Sequence, residues 1–217
     1  MPKLVELLPK LLKSLTIRFD RSPISTVESL SEFNRTRAAY IAQTSMFGYL
    51  KTRMGTSFTK FFEDEVFSRA IRAASAKLFV SCLGDVTTFA AGLCSDGAAP
   101  DETRALAEHC FARGFALTLV DLEAEFVPAD AEAEFAARAA LTDWHHAAQS
   151  FNAFAGSERD IVRFAPVVDE FKALDREIVS NSIRFRWRDV REQLRRRIDA
   201  QGICADWRQR SGTALER

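Results

Sequence analysis

The sequence predicts an all-α protein, a single-domain bundle of about six helices with a long Arg-rich C-terminal helix. Three observations lead there. Apolar residues recur every three or four positions along most of the chain, the period of one buried helical face. Only 9 Gly and 6 Pro interrupt 217 residues, so turns are few and elements long. No stretch shows the alternating β-branched pattern of a strand. With 47% hydrophobic and 28% charged residues the chain can bury a core without disulfides or metals, and it is neither collagen-like nor disordered.

The elements follow in order. Residues 3–19, KLVELLPKLLKSLTIRF, are amphipathic with cationic punctuation, and Pro9 starts or kinks a helix there. Residues 1–24 thus form an N-terminal segment that either packs on the bundle or lies in a membrane interface. Residues 25–201 are expected to make the bundle, and 202–217 a polar tail. Ser25-Thr-Val-Glu28 reads as a capping box, opening a helix to about Arg53 that Gly55 ends. A helix over about 62–93 carries the inward row Phe67, Ile71, Ala74, Leu78, Cys82, Val86, Phe89 and Leu93. Its part 78–94 is apolar, but it contains Asp85 and lies at the short limit for spanning a bilayer, so we read it as core. Pro100 starts a helix expected to reach Val127, with Leu106, Cys110, Phe111, Phe115, Leu122 and Phe126 inward, until Pro128 breaks it. The next helix, about 130–154, is expected to bury Ala137, Leu141, Trp144, Ala148 and Phe151. Ser157-Glu-Arg-Asp160 resembles a second capping box. From there helix extends to about residue 200, restarted or kinked at Pro166, with Ile183, Trp187, Val190, Leu194 and Ile198 inward.

Charge bounds the function. Lys plus Arg and Asp plus Glu are both 30, so a globally basic nucleic-acid binder is disfavoured. The neutrality hides a pattern: +5 over residues 1–72, −10 over 73–170 and +5 over 171–217. Either the acidic middle meets the basic ends inside the fold, or the ends share one face toward an anionic partner. Cys82, Cys94, Cys110 and Cys204 have no zinc-like spacing, and the first three stand in apolar helical contexts expected to bury reduced thiols. No secretory signal is evident, so a cytoplasmic location, free or peripheral to the inner membrane, is expected.

Between 184 and 198 seven Arg stand against two acids, and Arg184, Arg188, Arg191 and Arg195 fall on one helical face. This row would suit an acidic protein or an anionic membrane surface. The competing reading is a solvated face paired internally through Glu192 and Asp199. Asp85 is the only charge between Lys77 and Asp96, either satisfied in a buried polar cluster or the acid of a pocket. Asp143-Trp-His145-His146 contains one D-x-x-H spacing, whereas a di-iron bundle needs two such units and further carboxylates. Asp85, His145 and His146 are therefore the weak catalytic candidates. No G-x-S-x-G, P-loop, G-x-G-x-x-G or HExxH occurs, and no metal or cofactor is implied.

Two blocks, RAAYIAQTSMFGYLKTRMGT (Arg37–Thr56) with the following FFEDEVF, and FAPVVDEFKALDREIVSNSIRFRWRDVREQLRRRID (Phe164–Asp199), resemble an uncharacterised family of proteobacterial proteins. Some of its members bear the automatic label esterase. The resemblance supplies no catalytic residues to transfer. The expectation is a helical adaptor that docks on an anionic partner through Arg184, Arg188, Arg191 and Arg195, with self-association open. The alternative is an enzyme or carrier with a Phe-lined pocket for a small hydrophobic ligand, esterase-type or metal-dependent.

Overall fold

Short polar side chains cap the starts of the two longest inner helices, and the first cap lies one residue later than the sequence suggests. The structure, a computed structural model, describes residues 21–61, 63–119, 124–150 and 153–215. The Leu/Lys segment 3–19 lies outside them. Thr26 caps helix α1 (Val27–Met54): its hydroxyl accepts from the Ser29 amide at 3.1 Å, and the Ser29 hydroxyl accepts from the Thr26 amide at 3.1 Å. Glu28, expected to close a box with Ser25, instead pairs with Arg113 at 3.0 Å. Gly55 ends α1 at φ 56°, a conformation that costs glycine nothing.

After a single turn, α2 (Phe58–Phe61), helix α3 (Glu65–Cys94) begins at Asp64, whose carboxylate accepts from the Val66 and Phe67 amides. Then come α4 (Pro100–Leu119), α5 (Ala131–Ala140), the one-turn α6 (Trp144–Ala147), α7 (Ala155–Phe164), α8 (Asp169–Arg197) and α9 (Ala200–Leu215). The described residues thus hold seven helices of ten residues or more and two single turns, rather than about six helices, and they contain no strand. The one β-type contact is an isolated parallel bridge between Ile24 and Ile198.

Helix α3 lies at the centre. It packs most extensively on α1, with α4 against both and α7 on its other side. The stretch Glu65–Gly97 is long and apolar enough to cross a membrane, yet 78% of its apolar window is buried inside the protein. Its surface is consumed by helix packing. Ile71, Leu78, Cys82, Leu83, Val86 and Phe89 join Leu30, Ile41, Met46, Leu106, Phe111 and Trp187 in one core. Each large side chain buried there contributes about 1.5–3 kcal/mol.

Three expected elements differ. The helix starting at Pro100 ends at Leu119 among the described residues, and Phe126 sits in a 3-10 turn, half-buried beside Arg69 and Arg72; Leu122 lies outside the described residues. The helix expected over 130–154 is broken at Leu141-Thr-Asp143, and its buried residues are Ala131, Phe135 and Ala139. Ala137 faces solvent and Leu141 is 90% exposed, whereas Trp144 and Ala148 are buried as expected. Phe135 sets this phase by stacking on Phe111 at 4.2 Å. Phe151 lies outside the described residues.

The Arg-rich helix is not the last. Ile198 leaves helical geometry and pairs with Ile24, whose amide donates to the Arg197 carbonyl while its carbonyl accepts from Asp199 N, both at 2.8 Å. Residues read as a polar tail then form α9. Ile203 and Cys204 are buried, and Asp206 accepts the Val27 amide at 2.8 Å, capping α1 from the far end of the chain.

Candidate functional site

Helix α8 has two apolar faces. One carries Val179, Ile183, Trp187, Val190 and Leu194, all buried. The other carries Phe171, Leu174, Ile178 and Phe185, which are 44%, 73%, 71% and 60% exposed. Ordinary core packing accounts for the first face only. The amino-terminal half of α8 is held from the side: Tyr49 of α1 donates to Asp175 at 3.1 Å, and Arg53 lies 3.6 Å from Asp175 and 3.6 Å from the centre of the Phe171 ring. Burial and the Asp175 carboxylate push the Tyr49 phenol up to about 12. These contacts join the two sequence blocks 37–56 and 164–199.

The predicted arginine row is not uniform. Arg184 is taken up by Glu158 of α7 in a two-pronged contact at 2.5 and 2.6 Å. Arg188 lies over Phe185 at 4.6 Å. Arg191 and Arg195 both lie over Phe89 at 5.5 Å, and Arg195 also donates to the Ala148 carbonyl at 3.0 Å. Arg188, Arg191 and Arg195 have no carboxylate within 4 Å among the described residues. Desolvation and the neighbouring Arg195 charge lower the Arg191 guanidinium below its ordinary range. The internal pairing expected through Glu192 reaches Arg196, at 3.2 Å, and Asp199 instead caps the Gly202 amide at 3.0 Å.

A surface groove of about 690 Å³ runs between α7 and α8. Arg159, Arg163, Lys172, Arg176 and Arg184 line it, against Glu158 and Asp169. Arg159 is bound to Asp160 at 2.7 Å, so Arg163 and Arg176 are the lining cations without a carboxylate partner among the described residues. The groove contains no Phe. Phe89 and Phe154 instead pack in the core: Phe154 stacks on Trp187 at 4.3 Å and tilts against Phe89 at 5.4 Å.

Asp85 is buried at the junction of α3, α5 and α7. It accepts from Arg138 Nη1 at 3.0 Å and from the Ser157 amide at 2.7 Å. The second contact caps the first turn of α7 from another helix, so Ser157 is not the N-cap that the sequence suggests. Gly156 makes room, since a Cβ there would stand 2.7 Å from Asp85 Oδ1. The Ser157 hydroxyl accepts from Trp187 Nε1 at 2.9 Å, and Arg138 Nη2 donates to Thr88 at 3.0 Å. Burial raises the Asp85 carboxyl above its usual range, with Arg138 and Ser157 opposing. Both oxygens of Asp85 are thus engaged, one by Arg138 and one by Ser157, while Arg138 Nε is buried without a hydrogen-bond partner. His145 and His146 sit apart on the exposed side of α6, where His146 Nδ1 meets Asp143 at 2.9 Å and His145 lies 3.9 Å from Asp96. The D-x-x-H spacing therefore joins its own two residues. Among the described residues no group of three His, Cys, Asp or Glu is placed to hold a metal.

Comparison with known proteins gives no matching family model, no matching curated protein and no matching solved structure. Sequence reading missed the outward stripe of α8, although its signal was present: a second series of apolar residues, half a turn from the buried one, over 171–185.

Proposed function

We propose that this protein is a helical interaction module that docks on an anionic partner through the outer face of α8. The observation that carries the reading is the Arg191–Arg195 pair. Two guanidiniums sit side by side on Phe89, one of them partly desolvated, with no carboxylate of their own among the described residues. Such a pair gains more from an incoming anion than a solvated arginine does. Arg188 continues the row, and exposed Phe185, Ile178 and Leu174 supply apolar contact beside it. Arg184 contributes less than the sequence suggests, because Glu158 already satisfies it. Glu170, Glu177 and Glu192 on the same helix repel a uniformly anionic surface, so a protein partner whose carboxylates are placed opposite the arginines and apart from these glutamates is favoured over a lipid surface. A cytoplasmic location and kinship with the family that the two blocks resemble belong to this proposal.

The test measures capture of the full chain by immobilised poly-glutamate and by anionic and neutral vesicles, at low and high salt. Exchanging Arg184, Arg188, Arg191 and Arg195 for Gln should abolish capture and leave the helical circular dichroism unchanged. Each arginine near an anionic surface is worth about 1 kcal/mol, so the attachment should be salt-sensitive. A variant that binds everything the parent binds overturns the proposal. Stoichiometric iron or zinc, or turnover of a short-chain ester lost in Asp85→Asn or His146→Ala, would replace it with the enzyme reading.

A further inference from the structure

We infer that the partner of this face is a second copy of the same chain, bound as an antiparallel pair of α8 helices. The inference deepens the docking reading above and rests on it. Phe171, Leu174, Ile178 and Phe185 follow one another at intervals of three, four and seven. With Asn181 in the vacant place, they form the a and d positions of a heptad seam. A seam at 3.5-residue spacing keeps facing a straight helical neighbour over its whole length. No segment of the described chain covers it, because its members remain 44–73% exposed.

Charge then selects the neighbour and its direction. The amino-terminal stretch 169–177 carries Asp169, Glu170, Asp175 and Glu177 against Lys172 and Arg176. The stretch 184–197 carries seven Arg against Asp189 and Glu192. Two parallel copies would set like charge on like. Two antiparallel copies set the acidic half of each helix on the basic half of the other. The heptad and the charges give the same register, with the two-fold axis between Ser180 and Val179. Leu174 then faces the partner's Phe185, and Ile178 faces the partner's Asn181. At the flanks Glu170 meets the partner's Arg191, and Glu177 meets the partner's Arg184. Glu170 has no cation within 4 Å in its own chain among the described residues, and Arg191 has no carboxylate, so this pair joins groups that are free at present; Glu177 is free too, but Arg184 shares its guanidinium with Glu158 of its own chain. The seam is short, so the dimer is weak and salt-sensitive.

Sedimentation equilibrium of the full chain over ~1–500 μM, a range that brackets weak interfaces, reads the association directly. A monomer–dimer equilibrium at low salt is expected. Ile178→Asp, on an exposed position that should not disturb folding, should weaken it at least tenfold, and so should Glu170→Arg with Glu177→Arg. Orientation is read by mixing Leu174→Cys and Phe185→Cys chains under mild oxidation by a small disulfide, whose thiol–disulfide exchange forms the cross-link. Antiparallel pairing gives the mixed covalent dimer, in excess over either self-dimer. A chain that stays monomeric throughout overturns the inference, even if poly-glutamate capture persists and the docking reading stands. Dimerisation indifferent to Ile178→Asp, or self-linking of Leu174→Cys alone, also overturns it. So does a monomer that begins to dimerise once residues 1–20 are removed, because that segment would then be the occupant.

Discussion

Asp85 shows how one buried carboxylate joins three helices. It holds Arg138 with one oxygen and the Ser157 amide with the other, and so ties α5 and α7 to the central helix. Asp85→Ala would leave both donors without their acceptor and should cost about 1–3 kcal/mol in urea unfolding. Asp85→Asn keeps an oxygen for the Ser157 amide and should cost less. The sign of the pH dependence follows from the direction in which burial moves this carboxyl. Its folded-state value lies above the ordinary 3.8, so the protonated form is the one that folding favours. That contribution is complete below 3.8 and is lost as pH climbs through the raised value. The gap in stability between Asp85→Asn and the parent should therefore change in the asparagine variant's favour as pH rises across that window. The thiols offer a second check. Burial pushes Cys82 and Cys110 up, the latter to about 12, and all four cysteines are buried and free. Labelling of the native protein by a thiol reagent should be slow and should accelerate only with unfolding.

At the scale of elements, the junction of α1 with α8 sets the direction of the helix proposed to dock. Tyr49 and Arg53 grip Asp175 from the side, and the outer face of α8 stays open. Tyr49→Phe should loosen this grip by about 1 kcal/mol, the net worth of one hydrogen bond. It should also alter the alkaline limb. A phenol held at about 12 in the fold and near 10.0 outside it stabilises the protein fully below pH 10, and that contribution disappears as pH rises toward 12. The parent should show this loss in thermal melts and the phenylalanine variant should not. How much of each element the sequence disclosed depended on whether its signal was local. The core faces of α3 and α8 were legible because 3.6-residue periodicity alone sets them, as Leu78, Val86, Ile183 and Leu194 illustrate. The phase of α5 was not, since a ring stack with Phe111 decides it. Neither was the start of α7, whose cap comes from Asp85, 72 residues away. The arginine row was visible, but Glu158, which occupies Arg184, stands 26 residues earlier on another helix. The exposed stripe of α8 was legible in principle. It was hidden by the better-formed buried stripe on the opposite face.

Across the whole molecule, the charge segments visible in the sequence do meet. Basic ends pair with the acidic middle through Arg69–Glu125, Arg184–Glu158 and Arg208–Glu102, each partly exposed and worth about 0–1 kcal/mol. The greater stabilisation from the carboxyl end comes from apolar cover. Ile203 and Cys204 are buried, and Trp207 lies against His109 at 5.2 Å. Removing residues 200–217 should lower the melting temperature by several degrees, since each ~1 kcal/mol lost in a chain of this size shifts it by about 2–4 °C. The same truncation should expose Cys94, whose carbonyl now receives the Cys204 thiol, to rapid labelling. The closure of α1 by Asp206 spans 179 positions. On the ribosome the residues around Val27 emerge well before the carboxylate that receives the Val27 amide. At roughly 5–20 residues added per second, this helix waits about ten to forty seconds for its cap. During that interval the apolar faces of the early helices stand without their last cover, and the closing contact of the bundle is postponed until Asp206 has been made.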